Sequence, residues 1–249
     1  MELTWTQGIV TANYHWTDKL YSLRIHASMA PFTAGQFTKL GLDIDDVRVA
    51  KPYSLVNSPA ESWLEFYSIS IPGGSLSDRL MQLQPGDKLW VQQQAAGFLT
   101  LKETQPGKHL WLLATGTGIG PFLSILKTAE PWQKFEKIIL VHAVRYADEL
   151  IYQDLIQSWQ QSRGTALCHV PFISREVRDF AMKGRIPQAI ADHSLERHVG
   201  VPFNPQDSQV MLCGNPAMLA DTIKVLTEQK GLKRNRRRDP GNIMTENYW

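Results

Sequence analysis

The chain has 249 residues, 43% of them apolar and 20% charged, and its 26 Lys and Arg nearly cancel its 24 Asp and Glu for a formal charge of +2. That balance excludes a disordered polyelectrolyte and gives no electrostatic case for nucleic acid or an anionic membrane surface as partner. The length allows two ordinary domains or one large one, and the two cysteines, Cys168 and Cys213, exclude both a disulfide framework and a cluster held by four cysteine ligands.

The first hundred residues read as strands. "IVTANYHW", "LYSLRIHA", "VRVAKPYSLV", "WLEFYSISI" and "DKLWVQQQ" are short, rich in β-branched and aromatic residues, and parted by turn signals such as "PGG" and "PGD". Short strands with no long helical stretch between them predict a small antiparallel β-barrel over residues 1–104. Two stretches here carry candidate chemistry. "KPYSLVNSP" presents a cation, a ring and a hydroxyl at Lys51, Tyr53 and Ser54, around Pro52. "GGSLSDRL" offers Gly74, Ser75 and Ser77, whose small side chains and backbone N–H groups suit an anion.

After "TQPGKH" the rhythm changes. "LWLLAT", "KIILVHAV", "ALCHVPFIS" and "VMLCG" are near-continuous apolar runs, as expected of strands buried on both faces of a parallel sheet. The stretches "PFLSILKTA", "ELIYQDLIQSWQQ" and "PAMLADTIKVLTEQ" between or after them are helical, and Leu219, Ile223 and Leu226 share one face of the last. This alternation predicts a doubly wound α/β domain over residues 105–249.

"LWLLATGTGIGPFLSIL" sets Gly116, Gly118 and Gly120 between a strand and a helix, with Pro121 at the helix start. Glycines there let the backbone approach a pyrophosphate whose charge meets N–H groups. A nucleotide lacking an extra phosphate calls for a carboxylate at the end of the next strand; here "HAVRYADE" gives Arg145 first. Ser174 and Arg175 follow the third apolar run and Arg185 stands shortly after, a hydroxyl and guanidinium forks suited to a phosphate monoester. Together these predict a phosphorylated dinucleotide.

The seven histidines show no HExxH spacing, so no metal site is expected. Neither a basic leader followed by an apolar stretch nor an apolar run of membrane-spanning length occurs, and with two cysteines this predicts a cytoplasmic protein. The run "KRNRRR" carries five charges in six residues and reads either as a solvated loop or as a docking surface for an acidic protein.

Taken in order, "YSLVNSP", "ATGTGIGPFLSIL", "VHAVRYADEL", "ISRE" with "GRIP", "VMLCGNPAMLADT" and the terminal "NYW" resemble the compact bacterial type of ferredoxin (or flavodoxin)–NADP reductase over essentially the whole chain. The resemblance implies an FAD-binding barrel, an NADP-binding α/β domain, and a monomer that passes electrons between NADPH and ferredoxin or flavodoxin, which are acidic proteins. It places Tyr53 on the isoalloxazine and Ser54 near its reactive nitrogen. Lys51, Pro52, Ser75, Leu76 and Ser77 would hold FAD, and Tyr67, Ser68, Ile69 and Ser70 would meet the flavin edge. Thr117 would touch the cofactors, while Val144, Arg145, Ser174, Arg175 and Arg185 would take the adenosine phosphate of NADP. Gly214, Asn215, Pro216 and Asp221 would lie nearby, and Cys213 and Glu246 would line the nicotinamide site. The terminal Tyr248 and Trp249 would lie against FAD, with Trp249 stacked on the adenine. Lys51 departs from the family's usual arginine and lacks its bidentate fork. Two other readings stay open: the reductase arm of a multicomponent oxygenase, and a non-catalytic flavin or nucleotide sensor.

Overall fold

The structure is a computed structural model that describes residues 4–73 and 76–247. The chain divides into two units, Met1–Thr100 with Gly120–Thr128, and Leu101–Ile119 with Ala129–Trp249. The boundary expected near residue 105 thus falls just inside the second unit, and the helix after the glycine turn groups with the first.

In the first unit the strands are β1 (Trp5–His15), β2 (Leu20–His26), β3 (Phe37–Ile44), β4 (Val47–Ser54), β5 (Leu64–Ile69) and β6 (Lys88–Gln92), with a short helix α1 (Leu76–Met81) before β6. They form one antiparallel sheet in the order β4-β3-β6-β1-β2-β5. Beyond the end of β4, Leu55 bridges Phe66 and the Val56 N–H donates to the Glu65 carbonyl at 2.8 Å, so the two edge strands meet and the sheet closes as a barrel. Strand β3 was not among the stretches that read as strands. Lys39, Gly41 and Asp43 on one of its faces are residue types that strands disfavour. Its pairing comes from the hairpin to β4, whose two turn residues, Asp45 and Asp46, adopt φ of 51° and 60° as a tight primed turn demands.

Inward-facing side chains of this sheet, among them Val10, Tyr21, Leu23, Ile25, Leu40, Phe66, Leu89 and Val91, form one core that Leu76 and Leu80 of α1 complete. The helix α2 (Gly120–Leu126) belongs to this unit because all seven of its residues are buried and its Ser124 hydroxyl donates to the Asn57 carbonyl at 2.6 Å. Lys127 just beyond it reaches Glu61 and Glu65 at 3.7 and 3.8 Å.

The second unit is a parallel sheet in the order β10-β9-β8-β7-β11-β12. Its strands are β7 (His109–Thr115), β8 (Lys137–Val144), β9 (Leu167–Ile173), β10 (Met182–Lys183), β11 (Ser208–Gly214) and β12 (Ile243–Asn247). Helices α3 (Glu130–Lys134), α4 (Gln153–Arg163), α5 (Ile186–Ala191), α6 (Ser194–Val199) and α7 (Pro216–Lys230) connect them. Four of these strands are the apolar runs of the sequence; the interior of the sheet is buried on both faces, which is why those runs show no alternation. Successive strands β7, β8 and β9 step one way across the sheet and β11 lies on the other side of β7. The order therefore reverses at β7, and a crevice for ligands is expected at the carboxyl ends of the strands there. Leu219 and Leu226 of α7 join Trp111, Ile139, Val141, Val170 and Phe172 in the core, with Ile223 packed against it, as the one-face spacing required. No helix among the described residues is long and apolar enough to cross a membrane.

Candidate functional site

The glycine turn stands at the reversal point. Strand β7 ends at Thr115 and a single 3-10 turn, Gly116–Ile119, leads straight into α2. Three contacts fix this turn. Gly116 has φ of 52° with open space where a Cβ would stand, and its carbonyl accepts from His142 Nε2 at 2.9 Å. A Cβ on Gly118 would fall 2.5 Å from the Cys213 carbonyl oxygen. Gly214, at φ 133°, is packed against Thr115, whose hydroxyl accepts the Asn215 N–H at 2.8 Å. Glycine is favoured at Gly116 by its left-handed backbone and required at Gly118 and Gly214 by close backbone approach, so the turn and the end of β11 form one cradle. Thr117 is buried in it.

His142 acts here unannounced by any sequence signal. It is fully buried in β8, its carbonyl partner can only accept, so Nε2 carries the proton; burial lowers the ring to about 4 and keeps it neutral. A neutral donor suits this place, since a buried charge beside the turn would need a partner.

Past β11 the Asn215 side chain caps α7 by accepting from the N–H groups of Ala217 at 2.9 Å and Met218 at 3.3 Å, with Pro216 as first helical residue. Asp221 lies further along α7, exposed. Cys213 in β11 is paired in register with Glu246 of β12, so these two candidates are brought side by side. Burial, and then the nearby Glu246 charge, push the Cys213 thiol well up, which leaves it a neutral packing group.

The three candidate arginines also meet at strand ends. Val144 closes β8, and the N–H groups of Ser174 and Arg175 donate to the carbonyls of Val144 at 3.1 Å and Arg145 at 2.9 Å. Gly184, at φ 117°, donates its N–H to the Ile173 carbonyl at 3.2 Å and so turns the chain to present Arg185 beside the same ends. Arg145, Arg175 and Arg185 are exposed, and among the described residues none has an ion-pair partner. Exposed, unpaired guanidinium groups on loops at neighbouring strand ends, with a Ser174 hydroxyl that donates to the Val144 carbonyl at 3.3 Å, suit a multiply charged oxyanion.

In the barrel unit the flavin-holding set implied by the resemblance is gathered at the seam. Tyr53 and Ser54 end β4; Tyr67, Ser68 and Ile69 end β5; and the Leu55–Phe66 bridge holds those two strand ends together. Lys51 and Pro52 are exposed, Tyr53 half-buried and Ser54 buried. Burial raises the Tyr53 hydroxyl and keeps it protonated. The Ser70 hydroxyl donates to Asp78 at 2.9 Å, the Ser77 hydroxyl accepts the Ile71 N–H at 3.1 Å, and the Tyr21 hydroxyl donates to the Ser77 carbonyl at 2.9 Å. These bonds tie α1 to the segment after β5 and to β2, and Leu76 is buried. Gly74, Ser75, Tyr248 and Trp249 lie outside the described residues.

The run Lys233–Arg238 does not join the glycine turn. The Arg236 N–H donates to the Asp239 carbonyl at 3.0 Å and the Asp239 N–H returns to the Arg236 carbonyl at 2.9 Å, closing a turn with Arg237 and Arg238 at its tip. Lys233 pairs with Asp239. The segment leads into the amino end of β12, the opposite end of the sheet from Gly116. Among the described residues no group of three His, Cys, Asp or Glu could hold a metal ion.

Comparison with known proteins agrees with this fold. The profile of the oxidoreductase NAD-binding domain family matches residues 112–224, from mid-β7 into α7. The chain is 47% identical over 245 residues to a flavodoxin/ferredoxin–NADP reductase of Escherichia coli (strain K12), covering 98% of this chain and 99% of that protein. It is 36% identical to a ferredoxin–NADP reductase of Pseudomonas aeruginosa, covering 99% and 98%. Among solved structures, a ferredoxin NADP+ reductase from Neisseria gonorrhoeae with bound FAD and NADP superposes with a TM-score of 0.92 at 32% identity, covering 99% of both chains.

Proposed function

The chain belongs to the flavodoxin/ferredoxin–NADP reductases, and from that premise we propose which of its residues carry the exchange of electrons between NADPH and a ferredoxin or flavodoxin. When bound, FAD supplies both two-electron and one-electron chemistry, which is what links a hydride donor to a one-electron acceptor.

The observation that carries the nucleotide assignment is the cradle of Gly116, Gly118 and Gly214 at the carboxyl end of β7, on the same sheet as β8, β9 and β10, whose ends carry the unpaired Arg145, Arg175 and Arg185. A Cβ-free turn fits a pyrophosphate, and Arg145, Ser174, Arg175 and Arg185 fit the extra phosphate that distinguishes NADPH from NADH. Cys213 and Glu246, side by side on β11 and β12, would line the nicotinamide, the neutral thiol as an apolar wall and the carboxylate as a group that favours a positively charged ring. Thr117 in the turn touches the cofactors.

Tyr53 would pack on the flavin ring and Ser54 would offer its hydroxyl near the ring's reactive nitrogen. Tyr67, Ser68, Ile69 and Ser70 would meet the ring edge, while Lys51, Pro52, Leu76 and Ser77, with Ser75 outside the described residues, would hold the pyrophosphate side. The bonds from Ser70 to Asp78 and from Tyr21 to Ser77 support this set by fixing α1. The resemblance assigns Tyr248 and Trp249, which lie outside the described residues, a place where they would lie against FAD. The cysteine content suits a reducing compartment, and we place the protein in the cytoplasm.

An anaerobic visible spectrum of the purified protein, titrated with NADPH and then NADH, tests both sites. The expected result is flavin absorption bleached at far lower NADPH than NADH. A colourless protein that takes up no added FAD refutes the barrel assignments, and equal bleaching by both nucleotides refutes the arginine cluster.

A further inference from the structure

Beside the phosphate cluster stands a charged side chain that the nucleotide reading does not use. Glu176 follows Ser174 and Arg175 directly, and a carboxylate so close to a dianion site opposes binding unless its charge is cancelled or its oxygens serve another purpose. Both conditions hold. One oxygen accepts from Arg178 Nη2 at 2.9 Å, and the other accepts the backbone N–H of Ala147, 29 residues earlier in the chain.

That second bond joins two loops. The Ser174 and Arg175 N–H groups continue the β8–β9 pairing for two residues past the sheet, to the carbonyls of Val144 and Arg145. Backbone pairing stops there, and Glu176 carries the connection on to Ala147. Arg145 is then held on every side: its carbonyl by Arg175, its own N–H by Glu149 Oε2 at 2.8 Å, and the segment beyond it by Glu176. Glu149 lies in the same loop as Arg145 and can move with it; Glu176 comes from the neighbouring strand end and fixes that loop against Arg175. The small core of Val144, Leu150 and Ile173 beneath gives the loops a floor but no register.

We propose that Glu176 is the positioning residue that sets the preference for the phosphorylated nucleotide, by locking the Arg145 loop to the Arg175 loop so that both guanidinium groups face one phosphate. This rests on the assignment of Arg145, Ser174, Arg175 and Arg185 as the phosphate site. Two rival roles predict other signs. A carboxylate acting only as a repulsive charge weakens the phosphorylated ligand, and its removal tightens binding. A residue needed only for folding affects both nucleotides alike.

The test is calorimetric titration of the full-length, FAD-loaded protein with NADP+, NAD+ and 2′,5′-ADP. Glu176→Ala is expected to weaken NADP+ and 2′,5′-ADP by about tenfold or more, the loss typical of a charge-assisted hydrogen bond, with NAD+ changed by less than about threefold. Glu176→Gln keeps an oxygen for the Ala147 N–H and is expected to restore NADP+ affinity to within about threefold of wild type. The proposal is overturned if both variants tighten NADP+, if Glu176→Ala weakens NADP+ and NAD+ equally, or if it weakens neither. A wild-type chain that binds NADP+ and NAD+ alike sinks the phosphate site itself, whereas a wild-type preference that survives Glu176→Ala removes only the role of Glu176.

Discussion

Cys213 shows how far a single residue can be read before its surroundings are known. Its place after an apolar run, in "LCGNP", marks it as a residue at a strand end near a nucleotide turn, and the structure puts it there. Its chemical state is set by neighbours that the sequence does not reveal: full burial, and Glu246 across the parallel pair. Both disfavour the thiolate, so at neutral pH the group is inert as a nucleophile. Native protein treated with iodoacetamide at pH 7.5 should leave Cys213 unmodified by peptide mass spectrometry until denaturant is added, while the half-buried Cys168 reacts slowly. Rapid native labelling of Cys213 would mean that it is exposed and charged. His142 and Glu176 were not legible at all. Each acts on backbone 26 or 29 residues away, through contacts that only strand adjacency creates, and no local spacing encodes them.

Elements whose environment is uniform were the legible ones. Strands β7, β8, β9 and β11 lie inside a two-faced sheet and so carry near-continuous apolar runs, whereas the edge strands β10, with two residues, and β12 lack that signature. The central strands carry a consequence for acid stability. His142 in β8 and His169 in β9 are each lowered, chiefly by burial, to about 4 and about 3 from an ordinary 6.5. His109, at the start of β7, is lowered by burial as well. Because the folded values lie below the unfolded ones, the unfolded chain takes up protons first on acidification. The contribution is complete above about pH 6.5 and is lost as pH falls toward 4, at about 1 kcal/mol per pH unit for the fully buried His142 and less for the half-buried His169. The carboxylates held low by their partners, such as Glu196, where burial is outweighed by Lys230 and the Phe203 N–H, lose their contribution only below their ordinary 4.5. Stability lost between pH 6.5 and 5 therefore reports the histidines. Urea midpoints at pH 7.5, 6.0 and 5.0 should fall steadily, and His142→Gln, which keeps a donor for the Gly116 carbonyl, should show a shallower fall. A wild-type midpoint that stays level over this range would mean that these rings are not buried and neutral.

For the whole molecule, a formal charge of +2 is too small to steer a partner, so any electrostatic guidance comes from local clusters. The exposed turn of Arg236, Arg237 and Arg238 is one such cluster, and its place in the sheet separates it from the other, the arginines proposed to hold the nucleotide phosphate. Strand β11 has seven residues between the end near this turn and the end at Gly214, a span of about 20 Å at roughly 3.3 Å per residue. That is more than two screening lengths at about 0.15 M salt, so reversing Arg237 and Arg238 to Glu should leave NADP+ affinity within about twofold. The variant therefore isolates docking from nucleotide binding, which an arginine at strand ends β8 or β9 cannot do. If an acidic flavodoxin or ferredoxin meets this turn, its reduction at low salt should slow by about tenfold, and the dependence of the rate on ionic strength should flatten. Stopped-flow traces at several salt concentrations give both quantities. An unchanged rate with an unchanged salt slope would place the acceptor elsewhere on the chain, and a fall in NADP+ affinity would show that the turn and the cradle share one field.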